Sequence, residues 1–131
     1  MLAEFSVIEG GYLRDVLDQP RALDDTLAGL QEPKKLRELA ARLQKGEFKR
    51  VVLTGMGSSF HGLHPLRLEL IDHGLTAIMV ETSELVHYMR RLFDLKTLIV
   101  AVSQSGQSAE VVRLLEINGS KSLVNGSNDH K

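Results

Sequence analysis

Val51-Val52-Leu53-Thr54-Gly55-Met56-Gly57-Ser58-Ser59-Phe60-His61 runs from an apolar, β-branched stretch straight into glycines and serines. Residues 51–53 show no polar alternation, so they read as a strand buried on both faces. Gly55 and Gly57 permit a tight turn and let another group approach the backbone closely. Ser58 and Ser59 then set hydroxyls beside the unpaired N–H groups of a helix start, an arrangement suited to an anion. The design returns further on, where Leu98-Ile99-Val100-Ala101-Val102 leads into Ser103-Gln104-Ser105-Gly106-Gln107-Ser108. Two buried strands, each ending in a Ser/Gly loop that opens a helix, point to one anionic ligand held between two loops.

Outward from these loops the chain alternates between helix and strand. Residues 11–18 read as a short helix, and Pro20 starts another with Leu23, Leu27 and Leu30 on one face. Pro33 opens a third, carrying the stripe Leu36, Leu39, Ala40 and Leu43 up to a capping Gly46. After the first loop, Leu63, Leu66, Leu70 and Ile71 mark a helix that Pro65 should kink or delay. Residues 75–80 read as a second strand, and 81–93 as a helix with Ser83 as its N-cap. A helix through Val111, Val112, Leu114 and Leu115 follows the second loop, and residues 121–124 suggest the start of a fourth strand. Such alternation calls for a parallel sheet covered by helices on both faces. The expected fold class is α/β, a three-layer αβα sandwich with a flavodoxin-like parallel sheet that is incomplete at the C-terminus. In a 2-1-3 strand order, strands 1 and 3 flank the switch point where ligands bind. The expected organisation is a helical segment at 1–46, a core at 47–124 and a disordered polar tail at 125–131.

Composition narrows the function classes. A net charge of −1 over 131 residues gives no electrostatic footprint for nucleic acid. Cysteine is absent, which excludes disulfides, thiolate metal sites and a thiol nucleophile. No apolar run is long enough for a membrane span, and residues 1–5 do not resemble a signal peptide, so a cytoplasmic setting is expected. Gly55-x-Gly57-x-x-Phe60 lacks the third glycine of a dinucleotide fingerprint, although Glu81 stands where a ribose-binding acid would. No Gly-Lys-Ser/Thr triplet supports a Walker loop, and neither serine loop fits a hydrolase elbow. His61 and His64 are close enough to share a helical face, but nothing converges on them as a third ligand, so no metal is expected. His73 reads as a partner of helix-end carbonyls. Serine capping is the ordinary reading of Ser58-Ser59. The second loop argues for more, because a cap uses one hydroxyl and that loop carries three.

These residues resemble a known family. Gly55-Met56-Gly57-Ser58-Ser59-Phe60-His61 is similar to the Gly-Cys-Gly-Thr-Ser-Tyr-His loop of sugar isomerase (SIS) domains. The likeness is strongest to the isomerase half of glutamine–fructose-6-phosphate aminotransferase (glucosamine-6-phosphate synthase) and its fructosamine-deglycase-like relatives. Ser103-Gln104-Ser105-Gly106-Gln107-Ser108-Ala109-Glu110 is similar to the family's Ser-Gln-Ser-Gly-Glu-Thr-Ala-Asp. Asp18-Gln19-Pro20 and Ser83-Glu84-Leu85 match its Glu-Gln-Pro and Ser-Glu-Phe, in the same order.

The resemblance implies a phosphosugar-binding domain. Ser59, Ser103, Ser105 and Ser108 match the residues that hold the sugar phosphate, and Gly57, Ser58 and Gln104 match residues near the hexose. It implies a sugar phosphate of the fructose-6-phosphate or glucosamine-6-phosphate class as partner, no cofactor, and either self-association or a second SIS module. It further implies an amino-sugar aminotransferase or isomerase, or a sugar-phosphate deglycase. The family's catalytic acid and base lie beyond the matched region, so this chain alone is expected to lack the catalytic base, and the catalytic residues stay unassigned. His61, Glu84 and Glu110 are the titratable groups nearest the loops, and each reads better as structural. The alternative is a non-catalytic regulatory module that senses a sugar phosphate.

Overall fold

The computed structural model describes residues 10–31 and 33–119, and the expected strand at 121–124 and the tail at 125–131 lie outside them. The chain divides into two compact units, Met1–Pro33 and Lys34–Lys131. The described residues of the first contain one helix, α1 (Gly11–Gly29), which runs through Pro20 without a break. Two helices were expected here. Proline removes one helical hydrogen bond and crowds the carbonyl of Val16, a cost of about 3 kcal/mol that intact turns on both sides absorb. Arg21 bridges Asp18 at 2.8 Å across the turn that contains the proline.

The second unit begins with α2 (Lys34–Gln44) and continues with β1 (Arg50–Gly55), α3 (Ser58–His61) and α4 (His64–Asp72). β2 (Ala77–Glu81), α5 (Thr82–Tyr88), a 3-10 turn (Arg90–Leu92), β3 (Thr97–Val102) and α6 (Ala109–Asn118) follow. The strands form a parallel sheet in the order β2-β1-β3, as the alternation predicts. β1 lies at the centre, and Val51, Val52, Leu53 and Thr54 are each 1% exposed or less.

Although β1 has no polar alternation, its side chains still alternate between faces. Val52 aligns with Ile78 and Ile99. That row packs with Val80, Leu85, Val86 and Leu114, so α5 and α6 cover one face. Val51 and Leu53 face the other way with Leu98, Met79 and Val100, and meet Leu43, Leu63 and Leu70 from α2 and the α4 side. A strand covered on both faces has no solvent side, which is why its sequence is uniformly apolar. Each fully buried Leu or Val contributes about 1.5–3 kcal/mol through the hydrophobic effect.

Three boundaries differ from the sequence expectation. The β2 strand starts at Ala77, because the Leu75 N–H is used to finish α4 through a 2.9 Å bond to the Leu70 carbonyl. The helix expected over 81–93 stops at Tyr88. Met89 leaves helical backbone angles, and the tighter turn that follows carries Leu92 and Phe93 onto the core. Pro65 delays the helix after the first loop, as expected, and splits it into α3 and α4. His61 and His64 therefore lie on separate helices instead of sharing a face. Among the described residues no helix is long and apolar enough to cross a membrane.

Candidate functional site

Parallel strands in the 2-1-3 order send the loops after β1 and β3 to the same end of the sheet. The register sets Gly55 opposite Val102, so both loops leave the sheet at one level. A Cβ at Gly55 would stand 3.0 Å from the Phe60 nitrogen and 3.1 Å from the Val102 carbonyl oxygen. Only glycine lets the first loop fold back this closely over its own strand end. Gly57 has φ +53, in the region open to glycine, and turns the chain into α3. Ser59, Phe60 and His61 then donate their N–H groups to the carbonyls of Met56 and Gly57, at 3.1–3.2 Å.

The second loop is built by its own serines. Ser103 Oγ accepts the Gly106 N–H at 3.0 Å, and Ser105 Oγ accepts the Gln107 N–H at 3.2 Å. Each hydroxyl keeps its proton free to donate, so both can bond an anion while holding the loop. Ser108 occupies the N-cap position of α6 yet makes no side-chain capping bond. Its Oγ is buried, without a hydrogen-bond partner among the described residues. An unpaired buried hydroxyl costs about 1–3 kcal/mol, which marks it as a group awaiting a partner. Beside it, the first N–H groups of the ten-residue α6 have no partners within the helix.

Between the loops lies an open cavity of about 310 Å³, lined by Met56, Gly57, Ser58, Ser59, Val102, Ser103, Gln104, Ser105, Ser108 and Val111. All seven residues singled out from the sequence meet there. Met56, Val102 and Val111 form walls that the sequence reading did not assign to the site. Val111 stands one turn into α6, a position from which a helix that starts at the loop returns a side chain to it. The lining contains no titratable side chain. His61 stacks edge-on against Phe60, with ring centroids 5.6 Å apart, and it, Glu84 and Glu110 are all absent from the lining.

Beneath the loops, Thr54 Oγ1 donates to Thr82 Oγ1 at 3.0 Å, with both residues fully buried. This bond ties the end of β1 to the start of α5. The helix begins at Thr82, with Glu81 at the N-cap and Ser83 inside the first turn, where the sequence had suggested Ser83 as the cap. Thr54 is thus part of the framework and not of the cavity wall. His73 Nδ1 lies 2.8 Å from the Glu69 carbonyl oxygen at the end of α4, in the role its position predicted. At the other end of the sheet, Asp94 receives bonds from the Thr97 hydroxyl at 2.9 Å and the Lys96 N–H at 2.8 Å. Those two bonds and the Arg50 guanidinium at 3.0 Å hold its carboxyl below the ordinary value.

No family model and no solved structure matches the chain. Curated proteins do. The glutamine–fructose-6-phosphate aminotransferase of Pyrococcus horikoshii is 30% identical over 121 residues, covering 88% of this chain and 19% of the relative. The enzyme of the same name from Pyrobaculum aerophilum is 32% identical over 112 residues, covering 82% and 18%. That from Thermococcus kodakarensis is 28% identical over 122 residues, covering 86% and 19%. The chain thus spans about a fifth of the length of these relatives. With two Ser/Gly loops at the switch point of a parallel sheet, and with these relatives, the chain belongs to the sugar isomerase (SIS) domains, akin to the isomerase half of glutamine–fructose-6-phosphate aminotransferase.

Proposed function

We propose that this chain binds a phosphorylated sugar of the fructose-6-phosphate or glucosamine-6-phosphate class in the cavity between the two loops. The phosphate lies against Ser59, Ser103, Ser105 and Ser108, and the sugar against Gly57, Ser58 and Gln104. The observation that carries the reading is the Ser108 hydroxyl, buried without a partner among the described residues at the start of α6, whose first N–H groups have no partner within the helix. With the protons of Ser103 and Ser105, it makes a cradle of neutral donors. Charge-assisted hydrogen bonds to a phosphate are worth about 1.5–3 kcal/mol each, so several together hold a dianion without a lysine.

Moving a proton between adjacent sugar carbons needs an acid or base within hydrogen-bond reach. Serines and Gln104 can position a substrate but do not exchange its proton near neutrality. We therefore assign this unit the binding half of an aminotransferase, isomerase or deglycase reaction in amino-sugar metabolism, in a cytoplasmic setting. The base comes from a second SIS module or a second copy of the chain. A lining without titratable groups equally fits a regulatory module that senses the sugar phosphate. Solvent-deuterium exchange into the sugar separates the two, since only the catalytic assembly labels C1 or C2.

Calorimetric titration with fructose-6-phosphate and glucosamine-6-phosphate tests the binding reading, with fructose as the control that lacks a phosphate. Micromolar to millimolar affinity for the phosphorylated sugars, weakened about tenfold or more in Ser105→Ala, is the expected result. Equal binding of fructose, or an unchanged Ser105→Ala variant, rules the site assignment out.

A further inference from the structure

Among the described residues Met56 is the one thioether that lines the cavity, and it lies on the first loop, across the cavity from the serine loop. It is half-buried, with glycines on both sides. The chain has no cysteine, so methionine carries all of its sulfur chemistry. Met79, in β2, is packed against the core, and Met89 lies 38% exposed after α5, outside the lining.

We propose that Met56 is an oxidation site that closes the cavity to anions, an inference that rests on the sugar-phosphate reading above. The oxidant is a hydroperoxide. The sulfur lone pair attacks the terminal oxygen and the O–O bond breaks; that oxygen stays on sulfur, and its proton passes to the departing oxygen, which leaves as an alcohol, or as water when the oxidant is hydrogen peroxide. Sulfur is oxidised by two electrons and the peroxide is reduced by two. The product exchanges an apolar wall for a sulfoxide oxygen, a strong acceptor with partial negative charge. The same cavity is lined by groups with protons to donate, the hydroxyls of Ser103, Ser105 and Ser108. The sulfoxide oxygen takes up one of those donors and repels an incoming phosphate oxygen. Thiol-dependent sulfoxide reductases reverse the change.

The full chain is treated with graded hydrogen peroxide, and peptide mass spectrometry follows sulfoxide formation at Met56 and Met89. Fructose-6-phosphate affinity and the amide NMR shifts of residues 103–108 are measured before and after. Oxidation of Met56 is expected to lower affinity roughly tenfold or more, the loss of one charge-assisted hydrogen bond, and to move the 103–108 amides. Sulfoxide reductase restores both. A Met89→Leu chain responds as wild type does, whereas Met56→Leu keeps its own starting affinity after peroxide. The inference is overturned if Met56 stays reduced while Met89 oxidises. It is also overturned if oxidised Met56 leaves both measurements unchanged, or if Met56→Leu loses as much as wild type. Should the untreated chain bind no sugar phosphate, the binding reading fails separately. The amide shifts then decide the Met56 inference, supporting it if they move in wild type and not in Met56→Leu, and overturning it if they do not.

Discussion

Gly55 and Val102 stand opposite each other in the β1–β3 register, and a Cβ on Gly55 would approach the Val102 carbonyl oxygen to 3.1 Å. Those two backbone positions set the separation of the loops that bound the cavity. Gly55→Ala must push the Phe60 backbone nitrogen or the Val102 carbonyl outward by a few tenths of an ångström. A stability loss of about 1–3 kcal/mol is expected, as for overpacking elsewhere, together with weaker sugar-phosphate binding. Urea denaturation and calorimetry on the same sample check this, and unchanged values in both would show that the loops tolerate the methyl group.

The Ser108 hydroxyl makes opposite predictions for stability and binding. Ser108→Ala removes a buried group that has no partner, so the free chain should be as stable as wild type or up to about 1 kcal/mol more stable. Phosphate affinity should fall in the same variant. A loss of stability comparable to losing a helix cap would mean that the hydroxyl serves α6 after all. Thermal unfolding with and without fructose-6-phosphate reads both quantities.

Thr54 and Thr82 share one buried bond, so their substitutions should not add. Thr54→Val strands the Thr82 hydroxyl and should cost about 1–3 kcal/mol. Thr82→Val strands its partner at a similar cost. The double variant should cost clearly less than the sum of the two, because no unpaired hydroxyl remains. Additive losses in a denaturation cycle would show that the bond contributes nothing specific.

Asp94 gives the fold an acid-side dependence. Its folded-state carboxyl sits below the ordinary value, chiefly through the Thr97 hydroxyl and then the Lys96 N–H and the Arg50 charge. The unfolded chain therefore takes up its proton first as pH falls. The stabilisation is fully present above the unfolded value and is lost as pH drops through the folded one. Asp94→Asn should be less stable than wild type near neutrality, and the gap should narrow between about pH 5 and about pH 2. A gap that stays constant over that range in urea titrations would assign the difference to side-chain shape and not to charge.

The sequence by itself determined the central strands, the two Ser/Gly loops and their meeting at one end of a parallel sheet. Each follows from local chemistry. Residues 51–53 are too uniformly apolar for a strand with a solvent face, and Gly55, Gly57 and Gly106 with their serines mark turns wherever they fall. Residues 98–102 read as equally buried, yet β3 lies at the edge of the described sheet and leaves Ala101 and Val102 exposed, because only β1 has a strand on each side. Only the tertiary structure decided the rest. Pro20 passes through α1 because intact turns flank it, which a residue-by-residue reading discounts. α5 opens on Thr82, whose buried hydroxyl is bonded by Thr54, distant in sequence, and no pattern along the chain records that bond. The same holds for the cavity walls. Met56, Val102 and Val111 are ordinary apolar residues in sequence, and become lining only when the parallel register brings two strand ends to one level. The role of Ser108 is the sharpest case. A serine before a helix reads as a cap, and only the packed loop leaves its hydroxyl buried and uncommitted in the lining of the cavity.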